Sequence, residues 1–126
     1  MLHAISPVDG RYHSKTKDLS QYFSEYALIK YRVFIEVEYL KDLSITIPKL
    51  SGLDIKKLDD IMQNFSDFDA DKIKDIERTT NHDVKAVEYY LREKLIEAGL
   101  EIHSLWTYIT RYKQYGISID DKRCYG

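Results

Sequence analysis

Two short runs hold most of the side chains that could do chemistry. The first is Ser6-Pro7-Val8-Asp9-Gly10-Arg11-Tyr12. Proline followed by Asp-Gly is turn chemistry, with the glycine free to take a positive φ. On such a turn Arg11 and Tyr12 can offer a guanidinium fork and a phenol to one anion, as phosphate recognition requires. The same residues also suit a plain surface turn whose arginine pairs with a carboxylate. The second run, Thr79-Thr80-Asn81-His82-Asp83, sits between two amphipathic stretches. Amide, imidazole and carboxylate in succession at a helix start can give donors and a titrating group to an anionic ligand. An Asx turn, with Asp83 as the helix cap and His82 satisfied by a neighbour, is the plainer alternative. His3, His13 and His103 have no partners at metal-ligand spacing, so no metal site is expected. Cys124 is the single cysteine, which excludes an internal disulfide framework and a cysteine-based zinc site. No Gly-rich phosphate loop, nucleophile elbow or redox cysteine pair is present.

These runs need elements to position them, and hydrophobic periodicity supplies helices. Residues 1–18 carry no helical stripe and read as an extended, ordered arm. From Ser20 to about Leu43, Tyr22, Tyr26, Ile29, Val33, Val37 and Leu40 recur in steps of three and four, one face of a long helix. Tyr31, Phe34, Ile35 and Tyr39 broaden that face and imply packing on more than one side. Ser20 or Ser24 suits its N-cap. Pro48 and Gly52 mark residues 44–53 as a connection. A short helix follows from Leu53 to about Phe65, with Leu58, Ile61, Met62 and Phe65 inward. Asp67 or Asp69 then caps a third helix carrying Ile73 and Ile76. Asp83 suits the cap of a fourth, with Val84, Val87, Leu91 and Leu95 as its inner stripe and Gly99 as its stop. Tyr89 and Tyr90 read as core packing, and Glu36, Glu38, Lys56 and Lys57 as solvated faces. The fold class is all-α.

Composition bounds what such a domain does. The chain has 126 residues, 44% hydrophobic and 32% charged, which is one domain with a small core. Nineteen basic residues against 21 acidic ones leave a net charge of -2, which argues against a nucleic-acid binder. No apolar run approaches the ~20 residues that cross a bilayer, so no membrane partner is expected. The start, Met1-Leu2-His3-Ala4, lacks a signal peptide's layout, and the expectation is a reduced, cytoplasmic protein.

At the two runs the sequence resembles a known family. Ser6 to Tyr12, then Phe23-Ser24-Glu25-Tyr26, then Glu77-Arg78-Thr79-Thr80-Asn81-His82-Asp83-Val84-Lys85-Ala86-Val87-Glu88-Tyr89-Tyr90-Leu91 are similar, in order and spacing, to the amino-terminal domain of bacterial-type adenylosuccinate lyases. The likeness runs from about Ala4 to Leu95. It implies the all-helical fumarase/aspartase superfamily, whose members are homotetramers with active sites built from three subunits. It further implies β-elimination of fumarate from adenylosuccinate, giving AMP, and from the succinyl-carboxamide ribotide of purine synthesis. No cofactor is implied. By the same likeness Arg11 and Tyr12 bind the nucleotide portion, chiefly its phosphate, and Asn81, His82 and Asp83 belong to the substrate-binding loop. Arg11→Lys and His82→Ala are then expected to weaken substrate use in a full-length chain while leaving melting nearly unchanged. The family's general-acid histidine, its serine loop with Met-Pro-x-Lys-x-Asn-Pro, and its Thr-Ser pair do not occur here. A β-elimination needs a base and an acid, so catalytic residues are expected to be absent and the chain alone inactive. A non-catalytic helical module for nucleotide binding or subunit association is the alternative.

The motif likeness ends near Gly99, dividing the chain into a domain at 1–99 and an aberrant tail at 100–126. Dropping the first base of the Ile102 codon lets the stretch to Tyr115 be read as Phe-Ile-His-Phe-Gly-Leu-Thr-Ser-Gln-Asp-Ile-Asn-Asn. That resembles what the family carries next, including its Thr-Ser pair, and the Trp106-Thr107 junction forces the glycine. An out-of-frame tail on a truncated chain is the expectation, with a divergent terminal segment as the alternative.

Overall fold

The computed structural model describes residues 1–100 of the 126. Among them are only helices and turns, with no strand. Short helical turns at α1 (His13–Thr16) and α2 (Ser20–Phe23) lead into α3 (Glu25–Thr46), α4 (Ile55–Gln63), α5 (Asp67–Thr80) and α6 (Asp83–Glu97). The tail at 100–126 lies, past its first residue, outside the described residues.

The arm is not extended. Successive backbone bonds close it into turns, among them Gly10 N–H to Ser6 O at 2.9 Å and Tyr12 N–H to Pro7 O at 3.0 Å. Thr16 Oγ1 then donates back to Val8 O at 3.0 Å. An apolar period was the wrong signal for such a segment, because its order comes from local backbone bonds. Gly10 does not use a positive φ; only Gly99 among the described glycines does. Gly10 is needed because a Cβ there would meet Ala4 Cβ, Met1 O and Ser6 O, each at 3.3 Å.

α3 starts where Ser24 leaves the helical conformation and its Oγ accepts from Ala27 N–H at 3.1 Å, one of the two caps anticipated. It runs three residues beyond Leu43, until Pro48 opens a 3-10 turn at Pro48–Leu50. Asp54 caps α4 by accepting from Lys56 N–H. At α5 the cap is Ser66, not Asp67 or Asp69. Asp69 is the third helical residue and reaches back to Ser66 N–H at 2.9 Å, the reciprocal capping box. α6 ends as expected at Gly99, with φ 79°. Gly99 N–H bonds to Ile96 O and Leu100 N–H to Leu95 O, the Schellman closure.

The core joins all four longer helices. Ile29, Val33, Val37, Leu40 and Leu43 of α3 meet Leu58 of α4, Phe65, Ala70 and Ile73 of α5 and its approach, and Val87, Tyr90, Leu91 and Leu95 of α6. Each fully buried side chain of this kind contributes about 1.5–3 kcal/mol. α5 and α6 form an antiparallel hairpin, stitched by Lys72–Glu93 at 2.9 Å and Lys94–Asp69 at 3.6 Å. Lys41 of α3 ion-pairs with Asp59 of α4. Several readings of exposure change. Glu36 is buried, because α3 is covered on more of its circumference than its apolar stripe shows. Tyr31, Phe34 and Ile35 are exposed, as is Val84. Tyr22 lies in α2, ahead of the break at Ser24, and is exposed, and Tyr89, unlike Tyr90, is exposed and not core. No helix among the described residues is long and apolar enough to cross a membrane.

Candidate functional site

The Thr79–Asp83 run occupies the two-residue hinge of the α5–α6 hairpin and its flanks. Asn81 ends α5 in the left-handed conformation, φ 51° and ψ 34°, and its N–H bonds to Glu77 O at 2.7 Å. Asparagine tolerates that region better than most residues. His82 then turns extended, φ -149° and ψ 112°, and is the N-cap of α6. Its Nδ1 accepts from Lys85 N–H at 3.2 Å. The cap is therefore His82 and not Asp83. The reason is geometric: Asp83 is already helical, so its carboxylate reaches only the next amide, accepting from Val84 N–H at 2.7 Å. With Nδ1 as acceptor, the neutral imidazole carries its hydrogen on Nε2. The His82 side chain is 62% exposed, and no hydrogen bond from Nε2 is formed among the described residues.

Asp83 is committed twice. Its second carboxylate oxygen receives Arg32 of α3 at 3.0 Å, a pair that sequence spacing could not show because the partners lie 51 positions apart. Thr80 Oγ1 donates to His82 O at 3.3 Å across the hinge. The run is thus held by these five contacts, with Asn81 and His82 exposed.

Arg11 and Tyr12 sit on the arm just ahead of α1. The Arg11 guanidinium lies over the Tyr12 ring, 4.8 Å from its centroid. Among the described residues Arg11 has no carboxylate partner. Stacking holds the fork near the phenol, an arrangement in which both can face one oxyanion. No hydrogen bond or ion pair joins Arg11 or Tyr12 to Asn81, His82 or Asp83. The structure brings together the members of each run but not the two runs.

A separate polar cluster, unforeseen in the sequence, lies between α5 and α6. Asp69 is buried and accepts from Tyr90 OH at 2.8 Å and from Ser66 Oγ at 2.9 Å. Burial raises its carboxyl, but the bonds from Tyr90 and Ser66 and the Lys94 charge outweigh that and hold it below the usual range. Burial, then the bond to Asp69, push the Tyr90 phenol well above its ordinary value. Tyr90 is core, as expected, but for its hydroxyl as much as its ring. Three or more His, Cys, Asp or Glu placed to share a metal ion do not occur among the described residues.

No protein-family model matches the chain. Individual proteins do. The adenylosuccinate lyase of Dictyostelium discoideum is 48% identical over 130 residues, covering 95% of this chain and 26% of that protein. That of Legionella pneumophila strain Corby is 52% identical over 101 residues, 76% of this chain and 22% of its own. That of Escherichia coli K12 is 49% identical over 113 residues, 86% and 25%. The Dictyostelium match takes in part of the stretch beyond residue 99, past the end of the quoted motifs. The chain spans about a quarter of the length of the curated relatives it matches. At such identity over most of its residues, and with an all-helical fold, the chain belongs to the adenylosuccinate lyase family.

Proposed function

We propose that the complete protein is an adenylosuccinate lyase of purine synthesis, and that these residues form its nucleotide-binding amino-terminal domain. The observation that carries this reading is the near-50% identity to curated adenylosuccinate lyases. The reaction is β-elimination: a base removes a carbon-bound proton, the carbon–nitrogen bond breaks, fumarate departs, and an acid protonates the nitrogen of AMP. The succinyl-carboxamide ribotide is cleaved in the same way. Arg11 and Tyr12 receive the phosphate, and Asn81 and His82 contact the substrate from the helix hinge. Asp83 belongs to the same loop, its carboxylate shared with Arg32. Neither Arg11 nor His82 is offered as the acid or base, which come from parts of the protein beyond these residues. The two runs do not meet within one chain, which suits a site shared between subunits of a cytoplasmic homo-oligomer. No cofactor takes part.

We also propose that the stretch from about residue 100 is read out of frame. That the residues from Ile102 to Tyr115 permit the shifted reading supports it. Nucleotide sequence across residues 95–126 tests it: removal of one base near codons 98–102 restores a long frame with the Thr-Ser pair. Codons incompatible with the shifted reading would overturn it. For the function, the frame-restored protein is expected to release fumarate from adenylosuccinate, and the 126-residue chain to release none.

A further inference from the structure

Arg32 is the residue of α3 that reaches the hinge. Its neighbours Val33 and Val37 are fully buried, so the helix that carries it is anchored in the core. Its Nη2 lies 3.0 Å from Asp83, with both side chains partly shielded, at 31% and 46% exposure. The other oxygen of Asp83 holds the Val84 amide in the first turn of α6. One residue earlier, His82 depends on that same turn, because its Nδ1 is fixed by the Lys85 amide. A chain of contacts therefore runs from the core helix to one imidazole: α3, Arg32, Asp83, the first turn of α6, then His82.

We propose that Arg32 is a positioning residue, whose ion pair with Asp83 locks the start of α6 so that His82 keeps Nδ1 on the Lys85 amide and directs Nε2–H to the substrate. This rests on the substrate role proposed above for His82. It separates two residues of one loop: His82 touches substrate, and Asp83 serves as the clamp through which Arg32 acts. Without the clamp the cap still forms some of the time, but the ring samples more orientations and both tautomers. A loosened ring weakens binding before it affects bond breaking, since the acid and base lie elsewhere.

The test has a part independent of substrate. In the isotope-labelled 126-residue chain, at about pH 8.5 where an ordinary histidine is neutral, ring nitrogen shifts report the His82 tautomer and hydrogen exchange reports the Lys85 amide. The parent is expected to hold the Nε2–H form nearly exclusively, with a protected Lys85 amide. Arg32→Ala is expected to drop the tautomer ratio toward that of free histidine and to speed Lys85 exchange about tenfold, while Arg32→Lys retains most of both. Should Arg32→Ala fail to fold, Asp83→Asn removes the same charge pair while keeping an acceptor for the Val84 amide, with the same expectation. An undisturbed His82 in the folded variant overturns the clamp. In the frame-restored enzyme, Arg32→Ala is expected to raise KM about tenfold with kcat within about twofold, and Arg32→Lys to recover KM. A loosened His82 with parental KM contradicts the substrate role of His82 and the functional half of this proposal.

Discussion

His82 has two jobs that a single deletion cannot separate. It caps α6, so His82→Ala is expected to cost about 1 kcal/mol of stability, in contrast to the unchanged melting that sequence reasoning anticipates. Asparagine is a strong N-cap with no Nε2. His82→Asn should therefore melt close to the parent while still losing substrate affinity in the full enzyme; thermal melts beside KM measurements check both. Asp69 offers a second test at this scale. Its folded carboxyl lies below its ordinary value of 3.8, so it adds stability that is fully present above that value and is lost as pH falls through the lower folded value. Urea melts between neutrality and about pH 3 should show a decline that Asp69→Asn reduces. Asp69→Ala, which strands the Tyr90 hydroxyl and the Ser66 amide, should cost about 2–3 kcal/mol at neutral pH. The side chains of the two runs stand out in the sequence as types at spacings, and the family resemblance adds the roles proposed for Arg11, Tyr12, Asn81 and His82. Their partners do not stand out. Arg32 meets Asp83, and Tyr90 meets Asp69, through tertiary contacts that no local pattern encodes.

At the scale of elements, helix ends decide where the hinge sits. Gly99 closes α6 at φ 79°, a conformation that a Cβ penalises. Gly99→Ala is expected to destabilise by about 1 kcal/mol, with no neighbour among the described residues for the new methyl to strike. Leu91→Ala, in the centre of the same helix, should cost about 2–5 kcal/mol, because Leu91 is wholly buried in the core that the four longer helices share. Chemical denaturation of the 126-residue chain measures both. The long apolar stripes made α3 to α6 readable within a few residues, since period and breaker residues agree there. The caps were read less well. Ser66 was passed over for the aspartates beside it, because a capping box uses both an alcohol and the acid three residues on. The arm was misread because turns closed by backbone bonds leave no hydrophobic period.

For the whole molecule, two runs that no hydrogen bond or ion pair joins among the described residues are what the proposed shared site requires. Among the described residues the Arg11 guanidinium pairs with no carboxylate, and the His82 side chain is largely exposed. In the frame-restored enzyme Arg11→Lys keeps the charge but loses the fork, and kcat/KM is expected to fall about tenfold or more with melting unchanged. Tyr31, Phe34 and Ile35 remained uncovered although they widen the apolar face of α3. That exposure was beyond the reach of a reading that assumes each apolar face finds its cover within the sequence at hand. The most direct measurement is the release of fumarate from adenylosuccinate, followed by absorbance, for the 126-residue chain and the frame-restored protein side by side. A sustained rate is expected from the restored protein and none from the chain alone. Fumarate release by the 126-residue chain, or a folded restored protein that leaves adenylosuccinate intact, would contradict it.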